Sequence, residues 1–122
     1  MDRNHVEKMM GPAADALMKK YPTEKLDRTI RSKFSAFGAT VIMSGLLPAI
    51  AFYQKNEPDT IALITELYRL ENNDFEDNIF DTSYNAIKDG RRNDVTETIL
   101  DIAVSLKLAC NLFELVKSDG ED

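Results

Sequence analysis

The sequence is poor in the residues on which secreted, metal-binding and many catalytic proteins depend. Its 122 residues include one cysteine, one histidine and no tryptophan. Cys110 alone cannot form an internal disulfide, so nothing indicates an oxidising compartment. One histidine with one cysteine is too few for a structural zinc site. We therefore predict no disulfide, no metal site and no cofactor.

The N-terminal segment lacks the apolar stretch of a signal peptide, because residues 2–5 are all polar. This absence predicts a cytoplasmic protein. His5 lies in this segment, which we expect to be mobile, and no Ser–His or Cys–His pair can be built around it. The phosphate-binding loop and the dinucleotide fingerprint are also missing. We predict no enzymatic activity and no catalytic residue.

Few glycines and prolines interrupt the chain, which has five and four of them. Ala, Leu, Glu and Lys are abundant, and this mixture favours helices over strands. No segment sustains a two-residue alternation, so we predict no sheet. The length suits one core, and we predict an all-α, single-domain helical bundle of about five to six helices. The predicted helices span residues 3–20, 24–43, 46–54, 59–70, 83–88 and 94–117, with an acidic loop at 71–82 and an acidic tail at 118–122.

Apolar residues three and four positions apart define the faces of these helices. Pro12 predicts that the first helix kinks or begins there. Thr23 and Asp94 are the predicted N-caps of the second and last helices, and Gly45 is predicted to end the second helix. The buried faces are predicted to contain Val6, Met9, Met10, Ala13, Leu17 and Tyr21; Leu26, Ile30, Phe34, Phe37 and Val41; and Ile99, Ile102, Ala103, Leu106, Ala109, Cys110, Phe113 and Val116.

One uncharged run, residues 34–54, is long enough to span a bilayer. It contains Gly38, Ser44, Gly45 and Pro48, and the last two resemble a helix–helix junction. Two short helices buried in a protein core explain this run better than a membrane span. We predict no membrane insertion.

Charge is unevenly distributed along a chain whose net charge is −6. Residues 1–33 carry eight basic and five acidic side chains, a net of +3. Residues 56–82 carry eight acidic side chains and one basic side chain, a net of −7. The overall acidity argues against a free-standing nucleic-acid binder. The asymmetry fits either solvated helix faces or a polarised surface that contacts other subunits or lines a nucleic-acid groove.

The acidic loop has oxygen ligands but does not match a calcium-binding loop. Residues 72–78 read NNDFEDN, and Asp77 stands where such a loop needs a glycine for its sharp turn. A plain acidic loop is the better interpretation. No pair of carboxylates is predicted to be buried as a general acid and base.

Residues 31–53 resemble a signature of one protein family. The segment reads RSKFSAFGATVIMSGLLPAIAFY, with a basic and hydroxyl-bearing start, an apolar helix, and a Gly–Leu…Ala–Phe stretch at residues 45–52. Tyr84 and the run at residues 105–109, SLKLA, fall where this family has a tyrosine and a leucine–lysine motif. The family is the small helical subunit, the fifth Cmr subunit family, of the type III-B CRISPR RAMP effector complex. Ser105 stands where the family often has an aromatic residue.

The resemblance implies a non-catalytic helical bundle that stacks in several copies beside the backbone subunits of the effector. Such subunits help to line the channel that holds the guide RNA and its target RNA. The implied partners are therefore other Cmr subunits, further copies of this chain, guide RNA and target RNA, with no membrane. A basic surface of one copy meeting an acidic surface of the next would set their register.

If the resemblance holds, four basic residues near the second helix are candidates to face RNA. Arg28 and Arg31 are three residues apart and share a helix face, with Lys25 near the same side. Lys33 belongs to the basic start of the family signature.

Three further candidates lie near or on the last helix. Arg91 and Arg92 precede that helix in a turn from which they could reach phosphates, and Lys107 matches the family's lysine. At all seven positions a solvated surface charge is the alternative interpretation.

The sequence is also compatible with two other functions. One is a stand-alone helical dimerisation or regulatory module without a nucleic-acid role. The other is a small enzyme, which would need Asp74, Glu76, Asp77 or Asp81 to gather in a cleft with perturbed pKa values.

Overall fold

The computed structural model describes residues 1–117, which form six α-helices, one 3-10 turn and one small two-stranded sheet. The predicted all-α class is confirmed, and the predicted acidic tail at 118–122 lies outside the described residues. The helices are α1 (Arg3–Lys20), α2 (Arg28–Ser44), α3 (Leu46–Asn56), α4 (Pro58–Glu71), α5 (Ile79–Lys88) and α6 (Arg92–Ala109). A 3-10 turn, η1 (Cys110–Leu112), follows α6, and the strands are β1 (Lys25–Asp27) and β2 (Glu114–Val116).

The prediction that the chain contains no sheet is wrong. β1 and β2 pair in parallel, with Lys25 opposite Glu114 and Asp27 opposite Val116. The backbone N–H of Glu114 also donates to the carbonyl of Glu24 at 2.9 Å. Strands of three residues are too short for an alternation of apolar and polar residues to be recognised in a sequence. This ladder joins the start of α2 to the chain that follows α6.

The ladder also explains two wrong helix boundaries. The second helix begins at Arg28 rather than at residue 24, because Asp27 is its N-cap and accepts the Thr29 N–H at 2.9 Å. Thr23 is not the cap; its hydroxyl donates to the Lys25 carbonyl at 2.5 Å. The last helix ends at Ala109 rather than at residue 117, since the chain then turns into β2.

Other boundaries differ by less. α3 and α4 extend slightly beyond the predicted 46–54 and 59–70, and α6 begins before Asp94, which lies in its first turn. α5 begins at Ile79 rather than at residue 83, because the Asn78 side chain accepts the Asp81 N–H at 2.8 Å. The acidic loop therefore spans 72–78 instead of 71–82. α1 continues through Pro12 without a break.

One cluster of buried side chains holds these helices together, and α6 packs against α1, α2, α4 and α5 at its centre. Most residues predicted to be buried are buried. Met10, Tyr21, Ile30 and Val116 are half-buried instead. The expectation that the uncharged run 34–54 forms two buried helices is only partly correct, because Ile42, Met43 and Phe52 are exposed. The strongest agreement is on α6, where the face predicted from its apolar spacing forms the middle of the core. Residues on that face that are fully buried include Ile99, Ile102, Leu106, Ala109 and Cys110.

Gly45 forms the predicted junction between α2 and α3. Its φ is +96° and its ψ is 162°, a conformation that side-chain-bearing residues rarely adopt. Gly45→Ala is therefore expected to lower the free energy of unfolding by about 1–3 kcal/mol. Gly38→Ala is the matched control, because Gly38 is helical and an added Cβ would meet Leu100 at an ordinary 3.9 Å. We expect this variant to be unchanged or stabilised by up to about 1 kcal/mol in urea unfolding. Equal destabilisation by both variants would contradict this account.

Candidate functional site

The seven basic residues predicted to face RNA do not form one surface. Arg92 and Lys107 lie near opposite ends of α6, about 22 Å apart along its axis at 1.5 Å per residue. β1 pairs with β2, which follows the C-terminal end of α6, so Lys25 and the start of α2 lie at the Lys107 end. The structure therefore divides the candidates between two ends of the central helix.

Four of the candidates share one end of the molecule, which we call the basic end and define as Lys25, Arg28, Arg31 and Lys107. Lys25 and Arg28 are exposed, and Lys107 borders the seam where α6 packs antiparallel to α2. Arg31 is half-buried and close enough to Cys110 to act on its thiol electrostatically. Among the described residues, no hydrogen-bond partner is found for the buried Nε of Arg31.

The other three candidates are outside this cluster. Lys33 forms an ion pair with Glu57 at 2.8 Å, which ties α2 to the start of α4. Arg91 donates to Asp74 at 3.1 Å and lies 3.8 Å from Asp89. Arg92 is exposed at the first turn of α6. Lys33 and Arg91 therefore have carboxylate partners within the chain.

The acidic residues proposed for an enzymatic site bond to separate neighbours. Asp74 accepts from the Tyr68 hydroxyl at 2.9 Å as well as from Arg91. Glu76 accepts from the Asn85 side chain, and Asp81 accepts from the Asn78 side chain at 2.9 Å. Burial and the adjacent Asp74 carboxylate raise the pKa of Tyr68 above its ordinary value of 10.0. These contacts hold the acidic loop against the neighbouring helices, and they do not bring two of these carboxylates together as a pair.

Several large apolar side chains are exposed on α2 and α3, the pair of helices that carries the family-like segment. Ile42 is 77% exposed, Met43 is 85% exposed and Phe52 is 57% exposed. Ile42 also borders an apolar groove of about 430 Å³ between α2 and α6, together with Phe34, Leu100 and Met1. These apolar side chains on two consecutive helices are accessible to another protein.

His5 is the residue whose position differs most from the prediction. Rather than lying in a mobile segment, its ring is half-buried between α4 and α6. Its Nδ1 is 2.8 Å from Oδ2 of Asp101, and its Nε2 is 2.5 Å from Oε1 of Glu71. Both ring nitrogens donate to carboxylates when the imidazole is protonated. The ring therefore joins three helices through two charge-assisted contacts.

The pKa of His5 reflects two opposing effects. Burial lowers it, but the hydrogen bonds to Asp101 and Glu71 and the charges of these carboxylates outweigh burial. The His5 pKa is therefore raised above its ordinary value of 6.5. Asp101 is only 4% exposed, and the protonated ring of His5 is its charge partner.

The sequence contains one indication of the contacts around His5, which the spacing of apolar residues alone does not reveal. Asp101 and Ser105 are polar residues on the otherwise apolar face of α6, and both are buried. The Ser105 hydroxyl donates to the carbonyl of Asp101 at 2.8 Å and lies 3.3 Å from the carbonyl of Val6. Buried polar groups need partners, and the partners from outside α6 come from α1 and its N-cap.

Cys110 has the environment that was predicted for it. Its side chain is fully buried, and burial raises the pKa of its thiol to about 11, against a smaller lowering by the Arg31 charge. A thiol with this pKa is almost entirely protonated at neutral pH and is a poor nucleophile.

Within residues 1–117, no group of three or more His, Cys, Asp or Glu side chains is arranged to hold a metal ion. No helix in the same part of the chain is both long and apolar enough to cross a membrane. No protein-family model, curated protein or solved structure matches the chain.

Proposed function

We propose that this protein is a non-catalytic, cytoplasmic small subunit of a type III-B CRISPR (Cmr) effector complex. In this role several copies pack beside the backbone subunits and help to line the channel for guide RNA and target RNA. The resemblance at residues 31–53 is the starting point. In the structure this segment is most of α2 and α3 with the Gly45 junction between them, so the family-like residues belong to one structural unit.

The observation that carries the proposal is the separation of charge along α6. The basic end lies beside the C-terminal part of this helix, whereas the exposed Asp94 and Glu97 lie toward its N-terminal part. The acidic loop is near that second end, because Asp74 binds Arg91 just before α6. Copies stacked through unlike ends would bring opposite charges together, and a basic end left free would attract a phosphate backbone.

The exposed apolar side chains of α2 and α3 support contact with other proteins. Ile42, Met43 and Phe52 are largely exposed in the isolated chain, and their burial against a neighbouring subunit would remove apolar surface from water. The charged ends and these apolar helices would then have different roles, the first setting register and the second contributing affinity.

The experiment is recovery of the tagged protein from its native host, followed by identification of bound proteins and sequencing of bound RNA. We expect large RAMP-type subunits and CRISPR guide RNA. A Lys25→Glu/Lys107→Glu variant reverses two charges of the basic end and is expected to recover at least about tenfold less guide RNA. The matched control is Lys8→Glu/Lys55→Glu, which changes the net charge equally at two exposed positions outside the basic end.

The outcomes separate this proposal from its alternative. Guide RNA recovered equally with both variants would refute the role of the basic end. Recovery of the protein alone, or with one unrelated partner and no RNA, would refute the effector subunit itself. A stand-alone dimerisation module would then be the better account, and the exposed Ile42, Met43 and Phe52 are the observation that favours it.

A further inference from the structure

We infer that His5, as an imidazolium between the Glu71 and Asp101 carboxylates, is a pH-sensitive latch that fastens the first turn of α1 to α4 and α6. The inference concerns the isolated chain and does not depend on the proposed function. It rests on the position of the ring between two carboxylates from different helices, at 2.5 Å from Glu71 and 2.8 Å from Asp101.

The same carboxylate that holds the ring also holds the backbone of the first turn. Oδ1 of Asp101 accepts the backbone N–H of Asp2 at 3.3 Å, while its Oδ2 accepts from His5. Asp2 is the N-cap of α1, and its side chain accepts the N–H groups of Asn4 and His5. Asp101, Asp2 and His5 therefore form one connected network, and loss of the His5 contacts weakens the attachment of the helix start.

His5, Glu71 and Asp101 line one surface concavity between α1, α4 and α6. Within the part of the chain that the structure describes, no positive side chain other than His5 lines this concavity. Its charged groups are Asp2 from the start of α1, Glu71 from the end of α4, and Asp94, Glu97 and Asp101 from α6. When His5 loses its proton, one ring nitrogen can no longer donate, and the nearly buried Asp101 loses the cation that bonds to it. Neutral His5 thus turns an attractive centre into a repulsive one.

The direction of the pH dependence follows from the raised pKa of His5. The imidazolium is favoured by the folded state, so the stabilisation is complete below the unfolded pKa of about 6.5 and is lost as pH rises through the higher folded value. The latch is closed below the unfolded pKa of His5 and opens as pH rises through its higher folded pKa. Because Met1 borders the apolar groove between α2 and α6, opening also frees that end of the groove.

The first test is an NMR titration of the full chain, in which the single histidine gives one imidazole signal. We expect a midpoint above 6.5, lowered by about one pH unit in Glu71→Gln. Glu97→Gln is the matched control, since Glu97 lines the same concavity without bonding to His5, and a clearly smaller shift is expected. A wild-type midpoint at or below 6.5 would overturn the inference without recourse to any variant. Equal shifts in both variants would also overturn it, because they would indicate a general field instead of a specific pair.

The second test measures opening directly through amide hydrogen exchange at Val6. This N–H donates to the carbonyl of Asp2 at 3.0 Å and reports on the first turn of α1. After correction for the intrinsic rate, its protection is expected to be constant below pH 6 and to fall about tenfold as pH rises through the His5 midpoint measured in the first test. In Glu71→Gln the fall in protection is expected to move to lower pH, in step with the lowered His5 midpoint, because the contact with Asp101 remains. Protection that is independent of pH over the titration of His5 would show that the ring does not fasten this turn.

Discussion

Phe37→Ala is expected to lower the free energy of unfolding by about 3–5 kcal/mol, the range for removal of a fully buried aromatic side chain. Phe37 is 0% exposed and lies on α2 in the middle of the family-like segment. Its ring meets Tyr53 of α3 edge to face, with 5.2 Å between centroids and 84° between planes. The substitution removes both the buried area and this aromatic pair, and the surrounding helices can only partly close the cavity. Urea unfolding followed by circular dichroism measures the effect.

Phe52→Ala is the control that separates packing from residue type. Phe52 contacts the same Tyr53 from the outer side, at 5.6 Å between centroids, but is 57% exposed. We expect a change below about 1 kcal/mol in the free energy of unfolding. Under the proposed function, Phe52→Ala should nevertheless weaken recovery of the other effector subunits. If both variants were equally destabilised, α2 and α3 would not pack as described.

Much of the fold was predictable because helical spacing of apolar residues is a strong, local signal. Phe34, Phe37 and Val41 recur at steps of three and four and are all buried on one face of α2. The junction at Gly45 was also predictable from local sequence, because a glycine between two apolar helical runs indicates a break. These features depend on neighbours within a few positions along the chain.

The features that escaped prediction depend on partners far apart in sequence. β1 and β2 are three residues each, and their pairing joins position 25 to position 114. The contacts of His5 reach across 66 residues to Glu71 and 96 residues to Asp101. No periodicity connects such positions. Asp101 and Ser105 on an apolar helix face were the nearest available indication, because a buried polar group implies a partner elsewhere.

The candidate RNA-facing residues could be located in the sequence, but their pairing and grouping could not be predicted from it. Charge in the sequence indicates where cations are, but not which of them are already paired. Lys33 and Arg91 are bound to Glu57 and Asp74. Lys107 lies at the same end as Lys25, Arg28 and Arg31 because β1 pairs beside the end of α6. The ladder that the sequence did not reveal is therefore what assembles the basic end.

Asp74→Ala is expected to lower the free energy of unfolding by about 2–3 kcal/mol, because the substitution leaves the Tyr68 hydroxyl without its acceptor. Tyr68 is 2% exposed, and its hydroxyl donates to Asp74 at 2.9 Å. The same carboxylate accepts from Arg91, which fixes the loop against the start of α6. Tyr68→Phe in the Asp74→Ala background should recover part of this loss, since it removes the unpaired hydroxyl along with its partner.

Asp77→Ala makes the same chemical change in the same acidic loop and is expected to stay within about 0.5 kcal/mol of the wild type. Asp77 is exposed, so its removal eliminates charge without leaving a buried donor unpaired. A large effect at Asp77 would mean that the net charge of the loop, rather than the Tyr68–Asp74–Arg91 contact, controls stability. The expected difference in stability between Asp74→Ala and Asp77→Ala would instead indicate that Arg91 serves to hold the loop in place through Asp74. The basic end is then the surface on which a search for RNA contacts should concentrate.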